Sequence, residues 1–108
     1  MPGRVSTRRQ FAEFATPTGR GQSGSLRIIF VDHSDQGSYD VAFAISRKVG
    51  NAVVRNRIRR RLRAVMDGLS PAPKPGLYLI KCAIGSGNLS YDELQLHVQT
   101  ALNRAHAY

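Results

Sequence analysis

An α+β fold, one small sheet packed with three helices, is what this 108-residue sequence predicts. Three observations carry the expectation. Residues 51–69 repeat apolar side chains at helical spacing. Residues 26–33, 41–46 and 76–84 carry strand patterns. The resulting order is helix, two strands, helix, strand, helix, with no internal repeat. The length suits a single domain spanning 1–108, with one modest core.

Residues 1–15 read as a basic start and a short helix. Ser6 or Thr7 can cap it, and Phe11, Phe14 and Ala15 lie at helical spacing. TPTGRGQSGS, 16–25, reads as a loop on its Gly, Pro and Ser content. LRIIFVDH, 26–33, is rich in β-branched residues and predicts a strand. SDQGSYD, 34–40, predicts a turn. VAFAIS, 41–46, alternates. Val41, Phe43 and Ile45 share one face, expected to be core; Ala42, Ala44 and Ser46 share the other. That second face is small and smooth, and suits either a closely approaching ligand or a packed helix.

In 51–69, Val54, Ile58, Leu62, Val65 and Leu69 form one apolar stripe. Asn51 is the expected N-cap, and Gly68 before Ser70-Pro71 the stop. SPAPKPG, 70–76, is a connector. GLYLIKCAI, 76–84, is nearly all apolar and predicts a central strand. The last helix starts at Ser90, with Glu93 completing a capping box and Leu89 stapling to Leu94. Leu94, Val98, Ala101, Leu102 and Ala105 are its expected buried face.

Formal net charge is +9, which points to a polyanionic partner. The charge is also clustered. Eight of the sixteen Lys and Arg fall between Arg47 and Arg63, and no Asp or Glu occurs from Val41 to Met66. A helix advances about 100° per residue. With Ile58 facing inward, Asn56, Arg57, Arg59, Arg60 and Arg63 fan across the opposite face, and Arg55 and Arg61 flank it. No glutamate offsets these charges at helical spacing, as an ordinary solvated face would provide. Arginine forks suit phosphate oxygens and stack on bases. Asn56 adds no charge, but it can hydrogen-bond to a sugar, a base edge or a hydrated metal ion.

Other chemistries find little support in the sequence. Cys82 is alone, in an apolar run, and reads as a small buried hydrophobe. His33, His97 and His106 are scattered, and no paired carboxylates or nucleophile–base arrangement stands out, so neither catalytic nor metal-ligating residues are assigned. No apolar run approaches a bilayer's thickness, and MPGRVSTRRQ has no hydrophobic signal core, so a cytoplasmic location and no membrane partner are expected. A strand running straight into the basic helix argues against a helix-turn-helix and hence against DNA.

RKVGNAVVRNRIRRRLR closely resembles the signature of the bacterial ribonuclease P protein family, with Arg55-Asn56-Arg57 as its Arg-Asn-Arg and Ile58-Arg59-Arg60 following. Ser46 to Val53 matches the family's approach to that helix. Arg4, Val5 and Phe11, then Tyr78, then LSYDE at 89–93, extend the resemblance over nearly the whole chain. It implies a fold similar to ribosomal protein S5 domain 2, with a left-handed βαβ crossover.

The resemblance further implies a division of labour. The protein is a subunit of a ribonucleoprotein endonuclease that removes the 5′ leader of precursor tRNA, and the catalytic RNA subunit does the chemistry. The holoenzyme requires Mg²⁺, and no cofactor is assigned to the protein itself. Arg47, Lys48, Asn51, Arg55, Asn56, Arg57, Arg59, Arg60 and Arg63 would bind RNA. A cleft with Phe11, Arg27, Ile29, Ala44 and Ser46 would take the leader, with Arg59 and Arg63 at its edge. The chain departs from the family pattern at Ala15, where a second aromatic is common, at Ala83, where a basic residue often ends the strand, and at Arg9-Gln10, where the first helix is usually acidic. A structural RNA-binding protein, such as a small ribosomal protein, is the alternative that composition alone allows.

Overall fold

The computed structural model describes residues 3–5 and 7–108. Three helices and a mixed sheet account for most of them. The strands are β1 (Gly3–Arg4), β2 (Gly19–Ser23), β3 (Leu26–Asp32), β4 (Tyr39–Ile45) and β5 (Gly76–Cys82). The helices are α1 (Arg8–Glu13), α2 (Ala52–Asp67) and α3 (Tyr91–Arg104). The sheet order is β1-β4-β5-β3-β2, so β5 is central as its apolar run predicts. β4 runs parallel to β1 and β5, while β3 runs antiparallel to β5 and β2. The chain crosses from β4 to β5 through α2, the element that carries the basic segment.

Strand alternation gives the sheet two faces. Leu26, Ile28 and Phe30, Val41, and Tyr78, Ile80 and Cys82 face α2 and α3, and join Ile58, Leu62, Val65, Leu94, Val98 and Leu102 in the main core. Phe30 and Tyr78 stack at 4.8 Å, and Tyr39 meets Tyr78 edge-on at 5.8 Å. The buried Tyr39 hydroxyl donates to the Met66 carbonyl at 2.8 Å, pinning the end of α2 to the sheet. On the opposite face Ile29, Val31, Ala42 and Leu77 form a smaller cluster with Val5 and Phe14. That cluster covers only part of the face, and Arg27, Ala44 and Lys81 are left exposed.

Both long helices begin and end where their caps require. Asn51 accepts from the Val54 amide at 3.0 Å, and Gly68 closes α2. Ser90 and Glu93 form the reciprocal capping box. Leu94, Val98, Ala101, Leu102 and Ala105 are all buried. Met66 joins the expected α2 stripe in the core, and Leu69 is buried just beyond the helix end. Thr7 caps α1 in a second capping box, with Gln10, whereas Ser6 lies outside the described residues.

Residues 16–25 correct the loop expectation. Gly19–Ser23 is an edge strand paired with β3 in register, Gly19 opposite Phe30 and Ser23 opposite Leu26. Its glycines are there for α3. A Cβ on Gly19 would strike the Ala105 carbonyl, and one on Gly21 the Ala101 carbonyl, so the helix lies almost on the strand backbone. Gly24, at φ +58°, makes the left-handed turn into β3. A composition that reads as a loop is here the means of close helix–strand contact. The turn expected over 34–40 is likewise shorter, because Tyr39 already belongs to β4.

Candidate nucleic-acid interface

Two surfaces of the molecule concentrate positive charge. The first is built by the passage from β4 into α2. Ser46 ends the strand and accepts from the Lys48 amide at 3.2 Å, opening the 3₁₀ turn Arg47–Val49, where Arg47 and Lys48 are exposed. Gly50 lets Val54 close on the turn, since a Cβ there would meet the Val54 side chain. Asn51 then starts α2, and its cap fixes which residues face the core.

Burial of Ile58 and Leu62 turns Asn56 and Arg60 fully outward. Asn56 Oδ1 accepts from Arg59 Nη1 at 2.9 Å, so the asparagine holds one guanidinium in place. Arg55 and Arg57 are half-buried, and their Nε groups are buried without a hydrogen-bond partner. Arg57 departs from the outward fan because the turn Ser86–Asn88 packs against α2, and its Nη2 reaches the Gly87 carbonyl at 3.4 Å. Arg63 lies over the Phe43 ring at 5.2 Å. Burial, together with Arg4 and Arg59, lowers the Arg63 guanidinium from its ordinary value, with Asp67 opposing. It remains charged at neutral pH. Among the described residues the one ion pair is His33–Glu13, at 2.8 Å, remote in sequence from α2. The arginines of α2 thus crowd one another with no carboxylate in contact, a field that favours a bound polyanion.

The second surface is the open face of the sheet. Two adjoining grooves, of about 640 and 690 Å³, share Gln22, Arg27 and Lys81. The smaller runs under Phe14 and Ala15 over Arg20 and Ile29. The larger continues past Ala44, Ser46 and Ala83 to Lys48. Arg27, Ile29, Ala44 and Ser46 thus come together on one face, in the register the sequence suggests. Phe11 does not line either groove. It is 47% exposed, and its ring meets Phe14 edge-on at 6.3 Å. Arg59 and Arg63 do not line them either, and Arg63 belongs to the helix-covered face through Phe43.

Sequence reasoning missed Phe14, Arg20 and Gln22 as groove residues, whereas Lys81 lies on the strand face where it was expected. Arg20 and Gln22 were hidden in the supposed loop, although their spacing of two would have signalled one strand face. Phe14 fills the position beneath α1. α1 is tied down by Gln10 Nε2, which donates to Asp40 at 3.4 Å, and by the Glu13–His33 pair.

Cys82 is buried, and burial pushes its thiol up to about 11, opposed by a hydrogen bond from Ser86. It is an unreactive core group at neutral pH. The described residues bring together no group of three or more His, Cys, Asp or Glu that could hold a metal ion. Among the described residues no helix is long and apolar enough to cross a membrane.

The family model described as Ribonuclease P matches residues 2–106. A ribonuclease P protein component from Streptomyces bikiniensis is 33% identical across 89% of this chain and 88% of its own length. One from Clavibacter michiganensis subsp. michiganensis is 37% identical across 80% and 77%. Among solved structures, an RNase P protein from Staphylococcus aureus superposes with a TM-score of 0.83, at 16% identity, over 100% of this chain and 99% of that one. One from Thermotoga maritima gives 0.74 at 17% identity, over 89% and 91%. At such identities the solved structures speak for the fold alone.

Proposed function

The chain belongs to the ribonuclease P protein family, and from that premise we propose that its two basic surfaces divide the work of RNA recognition. It is the protein subunit of the RNase P ribonucleoprotein, an endoribonuclease of tRNA processing. In our proposal the α2 surface, with Arg47, Lys48, Asn51, Arg55, Asn56, Arg57, Arg59, Arg60 and Arg63, binds the catalytic RNA. The open sheet face takes the single-stranded 5′ leader of precursor tRNA through Arg27, Ile29, Ala44 and Ser46, with the exposed Phe11, outside both grooves, offered for base stacking. RNA alone is the partner, in the cytoplasm, with no role for DNA or a membrane.

The observation that carries the reading is the contiguous arginine face of α2, in a stretch with no Asp or Glu from Val41 to Met66. Such a face binds a phosphate backbone by releasing its counterions. The chemistry then belongs to the RNA and its Mg²⁺. The described residues bring together no group of three or more His, Cys, Asp or Glu, and in this reading no step passes through a metal held by the protein. A purely structural RNA-binding role is the less favoured reading, because the family is that of a processing enzyme.

Titration of the protein with the catalytic RNA at several salt concentrations tests the assignment. Arg60→Ala and Arg57→Ala are each expected to weaken binding and to flatten the slope of log K against log salt by about 0.7–0.9. Slopes equal to wild type would remove α2 as the RNA-binding face.

A further inference from the structure

The strand that borders the open face has little of its own to fix its position. β2 is an edge strand with one strand neighbour, β3, and toward α3 it presents Gly19, Gly21 and Ser23. Glycines allow close contact but offer no side chains to interlock, so a helix resting on them is free to slide.

Two side chains of α3 remove that freedom. His97 and Arg104 lie seven residues apart, two turns along one flank of the helix. His97 Nδ1 and the Ser23 hydroxyl are hydrogen-bonded at 2.7 Å. The His97 ring also covers Gly24, where a Cβ would come within 2.8 Å of it. Arg104 Nη1 donates to the Gln22 carbonyl at 2.6 Å. Ser23 is buried, so its hydroxyl needs a partner, and a charged donor on a carbonyl makes one of the stronger hydrogen bonds. Arg104 is exposed and has no ion pair among the described residues, so its guanidinium is committed to the strand rather than to a carboxylate.

The contact is passed to the other side of the sheet. Gln22 stands directly opposite Arg27, and its Oε1 accepts from Arg27 Nη2 at 3.4 Å. Gln22 and Arg27 line both grooves, whereas neither His97 nor Arg104 lines either. The backbone of Gln22 is therefore held by α3 while its amide steadies a groove guanidinium.

We propose that His97 and Arg104 are positioning residues: without touching RNA, they fix β2 and, through Gln22, the Arg27 side chain on the open face. The inference rests on the leader reading given above and adds to it two residues that lie outside both basic surfaces. A displaced β2 withdraws Gln22 from Arg27, so leader affinity falls while the α2 surface and the chemistry done by the RNA are untouched.

Steady-state cleavage by the holoenzyme, protein plus catalytic RNA, tests this with two precursor tRNAs, one with a long leader and one with a single leader nucleotide. For the long leader, Arg104→Ala is expected to raise KM about threefold to tenfold, the worth of one hydrogen bond, with kcat unchanged. His97→Phe keeps a ring over Gly24 but loses the Ser23 bond, and should act in the same direction. With the single-nucleotide leader both variants should match wild type, which also shows that they fold and assemble. In a Gln22→Ala background, Arg104→Ala should add less than about twofold, because the relay to Arg27 is already broken. Equal losses on the two substrates, no loss on either, or full additivity with Gln22→Ala overturns the proposal while leaving the leader reading intact. A His97→Phe holoenzyme equal to wild type on the long leader removes His97 from the role. A wild-type holoenzyme with the same KM for both substrates overturns the leader reading, and this inference with it.

Discussion

Tyr39, Tyr78 and Cys82 sit on neighbouring central strands, and each must stay neutral to stay buried. Burial, with Asp67 and Tyr108 nearby, pushes Tyr39 up to about 12. Burial chiefly raises Tyr78 as well, and lifts Cys82 to about 11. In the unfolded chain these groups lose protons near 9 for the thiol and 10 for the phenols. As pH rises through that range the unfolded state ionises first, so stability falls, whereas below about pH 8 the three contribute no slope. Urea midpoints are therefore expected to drop between about pH 9 and pH 11, less steeply in Tyr39→Phe. A flat alkaline profile would contradict their assigned burial. Among the surface residues, Asn56 shows how a poor helix former acquires a local role, since its carbonyl oxygen steadies Arg59 beside Arg60, the one fully exposed arginine of α2. The order Arg55-Asn56-Arg57 was visible in the sequence. The turn that half-buries Arg57 was not, because it comes from thirty residues downstream.

At the scale of elements, α2 and α3 were legible because a helix displays its buried face at fixed spacing and marks its ends with caps. Asn51, Gly68, Ser90 and Glu93 all act as their positions imply. β2 was not legible. GRGQS has neither β-branched residues nor an apolar face, because its inner positions are glycines on which α3 rests. Composition there records a tertiary contact rather than a local preference. Gly21→Ala is accordingly expected to cost about 1–3 kcal/mol in urea unfolding, since Ala101 must be displaced. Gly37→Ala, where a Cβ would meet nothing within 4 Å, should stay within about 0.5 kcal/mol of wild type. Equal effects at the two sites would contradict the close approach of α3. The open groove was only partly legible for the same reason. Ala44 and Ser46 announce a smooth face, but its cations Arg20 and Lys81 come from two other strands, and only the sheet register brings them to Arg27.

At the scale of the whole molecule, one sheet separates two surfaces. The face under α2 and α3 holds the main core, and α2 displays its arginines on the far side of that layer. The opposite face is left half-covered by α1 and Phe14, and its remainder is a charged trough. Ser46 and Lys48 lie where the trough meets the start of the basic segment, so one RNA assembly can meet both surfaces around the edge of the sheet. A net charge of +9 then serves a physical purpose. On the reading proposed above, it supplies part of the phosphate neutralisation that divalent ions would otherwise have to provide. Cleavage of a leader-bearing precursor tRNA by a bacterial catalytic RNA at low Mg²⁺, with and without the protein, tests this most directly. The account predicts slow cleavage by the RNA alone, strong acceleration on adding the protein, and none by the protein alone. A rate unchanged by the protein, or cutting by the protein without the RNA, would contradict it.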